Sequence, residues 1–280
     1  MRRLPLLRFA AVALALALTA CTDAATSVTA PTTAAFIVNG QPTGNSYGNV
    51  GALMIDYDQN GVINGDDELC TGSLVTPAIF LTAAHCVAPD PVTPAGTQFY
   101  VSFSADLYAK SFSYIKATGY VWDPQYGHDQ AHLHDLAVVF LPRNSTHGIT
   151  PLQLPPAGYL DKLKASGVIN SLIFVNVGYG TSATRTGKPD FPYDGKRSYS
   201  KSEFMGLQPT WLGLLMNNNA TGLGGDCYGD SGGPKFIDGN TTMILATVTT
   251  GDYNCRATTW DWRLDTPEAR GFLGNYLTLP

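Results

Sequence analysis

No histidine follows Ser231 in this chain, and that order removes one large class of folds. Ser231 stands in Gly229-Asp230-Ser231-Gly232-Gly233-Pro234, a glycine-lined turn able to hold a hydroxyl against backbone N–H groups. A serine hydroxyl that attacks a carbonyl needs a base beside it and donors for the oxyanion it creates. Gly229-x-Ser231-x-Gly233 also matches the strand-to-helix elbow of α/β-hydrolase folds, where the histidine comes after the serine. The five histidines here are His85, His128, His132, His134 and His147. The elbow fold is therefore excluded.

Two upstream contexts fit the remaining order. His85 ends Phe80-Leu81-Thr82-Ala83-Ala84-His85-Cys86, an apolar strand running into small residues. Asp135 lies in His134-Asp135-Leu136-Ala137-Val138-Val139, immediately before a strand apolar enough to be buried. A buried carboxylate fixes the tautomer of an imidazole, which can then take the serine proton. An order with the acid first would have to use Asp56 or Asp58, and neither precedes an apolar run like residues 136–141. His85, Asp135 and Ser231 are the candidate catalytic residues, in that order.

Through Thr82-Ala83-Ala84-His85-Cys86, His134-Asp135-Leu136-Ala137 and the turn from Gly229 to Pro234, the chain resembles trypsin-like (chymotrypsin-fold) serine proteases over residues 37–280. The resemblance implies an all-β fold of two perpendicular six-stranded antiparallel β-barrels, over roughly 37–150 and 151–265. A short C-terminal helix over 266–278 completes it, with the site between the barrels. It also implies peptide-bond hydrolysis through an acyl-enzyme without a cofactor, with the N–H groups of Gly229 and Ser231 as the oxyanion hole. Cys70 with Cys86, and Cys227 with Cys255, resemble family disulfides bracing the histidine loop and the substrate pocket. Gly225, six residues before the serine, takes the place of the acidic pocket base of trypsins, with Asp226 its neighbour. A buried Asp226 would favour Lys or Arg in the substrate, whereas one bonded to its own loop would not. Thr249 to Gly251 would form the opposite wall, with Trp260 and Trp262 placed to fill or narrow the pocket.

Ile37-Val38-Asn39-Gly40 is similar to the family's mature N-terminus, whose freed ammonium pairs with the acid before the nucleophile, here Asp230. Phe36 stands where a basic residue often precedes the cut, which points away from a trypsin-like activator.

The first 36 residues differ in kind from the rest. Met1 to Ala20 reads as a signal peptide: Arg2, Arg3 and Arg8 carry charge, and the apolar run from Phe9 to Ala20 is short for a bilayer. Leu18-Thr19-Ala20-Cys21 resembles a bacterial lipobox, and Cys21 is the odd one among 5 cysteines. Lipid at Cys21 would hold the protein on a membrane surface, with residues 21–36, rich in Thr and Ala, as a flexible tether or propeptide. Cleavage after Phe36 would then activate and release the domain together.

A formal charge of −5, with only 14% of residues charged, offers no basic stripe for nucleic acid. A protein or peptide substrate and a monomer are expected. Asp56-Tyr57-Asp58-Gln59-Asn60-Gly61 looks like the start of a calcium loop, but position twelve is Asp67 rather than Glu and both flanks read as strands. It is taken as a polar hairpin tip. His128, His132 and His134, without a cysteine, are not taken as a metal site. Thr266-Pro267-Glu268 starts a helix whose apolar face is expected on the second barrel. The alternative functions are a catalytically silent homologue that binds through the same cleft, and an esterase using the same three residues.

Overall fold

The computed structural model describes residues 37–183 and 188–280. The signal segment, Cys21, the tether and Phe36 lie outside the described residues. After the two-residue β1 (Gln41–Pro42), the first half of the chain forms β2 (Val50–Met54), β3 (Glu68–Thr76), β4 (Ile79–Thr82), β5 (Tyr100–Ser102), β6 (Ile115–Lys116), β7 (Gly119–Trp122) and β8 (Ala137–Phe140). Its sheet runs β6-β5-β2-β3-β4-β8-β7, all antiparallel. β6 and β7 stand at the two ends of that order yet are joined by only Ala117 and Thr118, so one bent strand closes the ring. The barrel is six-stranded in that sense, and the closure leaves no open edge.

The second half begins with α1 (Tyr159–Ala165) and continues through β9 (Ile173–Gly178), β10 (Ser198–Leu207), β11 (Trp211–Leu215), α2 (Asn218–Thr221), β12 (Pro234–Ile237), β13 (Ala246–Gly251) and β14 (Thr258–Arg263). Its order is β1-β10-β11-β14-β13-β12-β9, and a further pairing of β10 with β9 closes the ring of six. β1 merely extends the edge of β10. The all-β, two-barrel architecture expected from the motifs is present.

Each barrel has its own apolar filling. Leu53, Leu74, Phe80, Phe99, Val101 and Val139 pack in the first, and Phe174, Leu207, Leu212, Leu214 and Leu245 in the second. A third cluster joins them: Val50, Leu81 and Val138 meet Val177, Phe236 and Trp262 across the seam. Burying that surface fixes the barrels against each other, so that residues carried by different barrels can meet.

The C-terminal helix α3 spans Pro267–Leu273, with Thr266 as its N-cap, its hydroxyl accepting from Ala269 N at 3.2 Å. Ala269, Phe272 and Leu273 join the seam cluster, and the Tyr276 ring lies 6.0 Å from Phe140 of the first barrel. The apolar face of the helix thus joins a cluster drawn from both barrels, and the residues just after it reach the first. Among the described residues no helix is long and apolar enough to cross a membrane.

Candidate active site

His85 and Asp135 meet because β4 and β8 are antiparallel neighbours, with Thr82 opposite Ala137. The chain leaving β4 and the chain entering β8 therefore emerge at one edge. A 3₁₀ turn, Ala84–Cys86, lifts His85 off the end of β4, and Asp135 sits two residues before Ala137. Asp135 is fully buried; one carboxylate oxygen accepts from the backbone N–H of His85 at 2.9 Å and the other lies 2.8 Å from His85 Nδ1. Two bonds to one residue fix both the turn and the ring. Burial alone would lower the pKa of His85, but the charge of Asp135 and its hydrogen bond outweigh that and raise it above the ordinary 6.5.

Ser231 arrives from the second barrel, in the turn entering β12. Thr71 of β3 clamps this turn: its N–H donates to Ser231 O at 2.9 Å and its hydroxyl to Gly229 O at 2.9 Å. Thr82 Oγ1 in turn donates to Thr71 O at 2.8 Å, tying the serine turn to the strand that carries His85. Ser231 and His85 line the same open cleft of about 640 Å³, and no hydrogen bond joins their side chains among the described residues. Such bonds often tighten only with substrate in place.

The amides of this turn divide cleanly. Asp230 N donates to Cys227 O, Gly232 N to Val248 O and Gly233 N to Asp230 O. Those of Gly229 and Ser231 donate to no group among the described residues. Gly229 needs its missing side chain, since its φ is +95° and a Cβ would lie 2.9 Å from Gly180 Cα and 3.0 Å from Glu68 Oε2. Two free donors flank the serine, the arrangement an oxyanion requires.

Thr249, Gly251, Asp226 and Ser231 line a second cavity of about 320 Å³ on the other side of the serine. Gly225 is not among the lining residues; it bridges to Val38, N–H to carbonyl, at 3.0 and 3.1 Å. Trp260 and Trp262 do not line the cavity either. Both project from the face of β14 opposite Asp261, and Trp262 is a seam residue stacked edge-on to Trp211. Thr259 of the inner face takes the place expected of them.

The family model described as Trypsin matches residues 53–260. The chain belongs to the trypsin family. Similar solved structures include HL collagenase, at 19% identity, covering 85% of this chain and 98% of that one with a TM-score of 0.60. Human heparin binding protein is similar at 16% identity over 87% of this chain and 99% of that one, with a TM-score of 0.59. A substituted form of the same human protein aligns at 17% identity, covering 87% and 99%, with a TM-score of 0.59. At these identities the structural likeness speaks for the trypsin fold alone.

Within this trypsin-family frame both expected disulfides are formed, Cys70–Cys86 and Cys227–Cys255. Ile37 is fully buried although φ is +62°, an unusual backbone for a β-branched residue. Asp230 is also fully buried, its two oxygens accepting from Gly180 N at 2.9 Å and Cys227 N at 2.8 Å. Burial, reinforced by the nearby charge of Asp226, pushes its carboxyl well above the usual range despite those bonds. The Asp56–Asp67 segment is the loop joining β2 to β3, as expected of a hairpin tip. Asp67 closes it by accepting from Tyr57 N and Asn64 N, both at 2.9 Å, and one oxygen each of Asp56, Asp58 and Asp67 lie within 4.8 Å of one another. His134 pairs with Asp123 at 3.1 Å and His132 with Glu268 at 3.5 Å, so each has its own acid.

Sequence reasoning missed three residues beneath the cavity. Lys235, Asn176 and Asp261 project into the second barrel, all fully buried, and Lys235 pairs with Asp226. The available signal was a lysine in the otherwise apolar strand Pro234–Ile237.

Proposed function

We propose that this chain is a serine endopeptidase that cleaves through an acyl-enzyme. The reading rests on one observation above all: Asp135 holds His85 Nδ1 at 2.8 Å while Ser231, in the cleft it shares with His85, is flanked by two unused amides. With Nδ1–H committed to the carboxylate, Nε2 is the basic nitrogen. It takes the Ser231 proton as Oγ bonds to the substrate carbonyl carbon. The carbonyl oxygen gains the electron pair and accepts from the N–H groups of Gly229 and Ser231. The imidazolium then protonates the leaving amine as the C–N bond breaks, and water repeats the sequence on the ester. Asp135 stays ionised throughout.

Activation by a cut after Phe36 belongs to the same proposal. Among the described residues Asp230 is a buried acid bonded only to backbone amides, and a cation delivered by the new terminus of Ile37 would lower the cost of ionising it. The bridge between Val38 and Gly225 already seats the neighbouring residue against the pocket segment. Export and lipid attachment at Cys21 complete the picture of a membrane-tethered enzyme released on maturation.

A fluorophosphonate probe tests the reading directly. Exported protein is expected to gain one adduct, mapped by peptide mass spectrometry to Ser231, on a chain beginning at Ile37. An unlabelled, folded chain would favour a cleft used only for binding, and an adduct elsewhere would refute the assignment. Matched peptide and ester substrates separate peptidase from esterase.

The pH profile carries a second expectation. Only the neutral imidazole can accept the serine proton, so kcat/KM falls as pH drops through the pKa of His85. Because Asp135 raises that pKa, the acid limb should have its midpoint above 6.5. A midpoint below 6.5 would mean that burial, not the carboxylate, dominates the ring.

A further inference from the structure

The lysine beneath the cavity has a consequence for which side chain the cavity accepts. Lys235 is fully buried on β12, paired across the strands with Asn176 of β9. Its ammonium contacts the Asp226 carboxylate, donates to Asn176 Oδ1 at 2.9 Å and lies 3.4 Å from Asp261 Oδ1. Of these partners only Asp226 reaches the cavity that Ser231 lines. Asp226 is 4% exposed; its Oδ2 is taken by Lys235, and its Oδ1 has no hydrogen-bond partner among the described residues.

The charges around the cavity bear on what it attracts; Asp252, which also lines it, accepts from the N–H groups of Arg256, Ala257 and Thr258. Asp226 and Lys235 cancel. Burial pushes the Asp261 carboxyl above the usual carboxylate range despite the pull of Lys235, which favours its protonated form. An arriving Lys or Arg would meet a carboxylate already paired with the Lys235 ammonium, and would be repelled by that ammonium in a poorly screened interior. An uncharged side chain avoids that repulsion. The walls above are Met216, Val248 and the Cys227–Cys255 bridge, apolar surface suited to a ring.

We infer that Lys235 is a specificity-determining residue that neutralises Asp226 and turns the cavity toward an uncharged side chain and away from Lys and Arg. This rests on the protease reading above, with the cavity holding the residue before the cleaved bond.

The test is a fluorogenic peptide series on the exported, processed protein, varying only that residue among Tyr, Phe, Leu, Arg and Lys. Expected kcat/KM for the best of Tyr, Phe and Leu exceeds that for Arg and Lys by roughly 100-fold. Lys235→Met should raise Arg and Lys at least about 10-fold relative to Tyr, because Asp226 is then unpaired. Arg or Lys as the best wild-type substrate overturns the inference. Should Lys235→Met fail to fold, the wild-type series decides alone. A binding arm needs no turnover: p-cresol is expected to bind wild type in calorimetry and benzamidinium not, and the reverse overturns the inference. Failure of the protease reading shows differently, as no fluorophosphonate adduct on Ser231.

Discussion

Ser231→Ala is expected to lower kcat on a peptide substrate about 10⁶-fold, and adding His85→Ala should lower it no further. The two side chains act in one step: without the hydroxyl there is no proton for the imidazole to take, and without the imidazole the hydroxyl is a poor nucleophile. Independent contributions would multiply, so the double variant distinguishes a working pair from two polar residues that happen to share a cleft. Neither change disturbs the fold, because the backbone of Ser231 is held by Thr71 N and that of His85 by Asp135. What should survive is the acceleration supplied by substrate binding and the two free amides, roughly 10³-fold over water. Burst-free single-turnover assays on the two single variants and the double measure this. Losses that multiply would break the triad assignment.

The candidate catalytic residues were legible because each is announced by its own neighbours. An apolar strand ending in Ala83-Ala84 before His85, an acid directly ahead of a buried strand, and a glycine-walled serine are local signals. Their meeting is set by one long-range fact, the register that puts Thr82 opposite Ala137, and strand pairing of that kind is implied only through the family resemblance. The pocket was less legible for the same reason. Side chains alternate along a strand, so whether Lys235 points inward or outward depends on its pairing with Asn176 and Ala246, not on its own composition. Trp260 and Trp262 failed by the same rule: aromatic character suggests a pocket filler, but the odd-numbered Thr259 and Asp261 own the inner face of β14. For α3 the cap and the apolar stripe were readable, while the surface it covers was not. A stripe says that a partner exists and leaves open that Phe140 of the first barrel is one of them.

Asp135→Asn should cost about 10⁴ in kcat while leaving the thermal midpoint nearly unchanged. The replacement is close in size and removes a buried charge without leaving an unpaired one, so packing gives no reason for unfolding. Its effect is on the imidazole proton. In the native chain the carboxylate accepts twice, from His85 N at 2.9 Å and from Nδ1–H at 2.8 Å. An asparagine has a single oxygen. If that oxygen keeps the backbone bond, the amide N–H₂ faces Nδ1 and can only donate to it. The ring proton then moves to Nε2, the nitrogen that must be vacant to receive the serine proton. Loss of the carboxylate also removes the group that raises the pKa of His85, so the residual activity should show its acid limb at lower pH. Fluorophosphonate labelling of the untouched Ser231 should slow in parallel with kcat, since it draws on the same base. A variant that labels at the wild-type rate would shift the orienting role to some other group and leave Asp135 a structural acid.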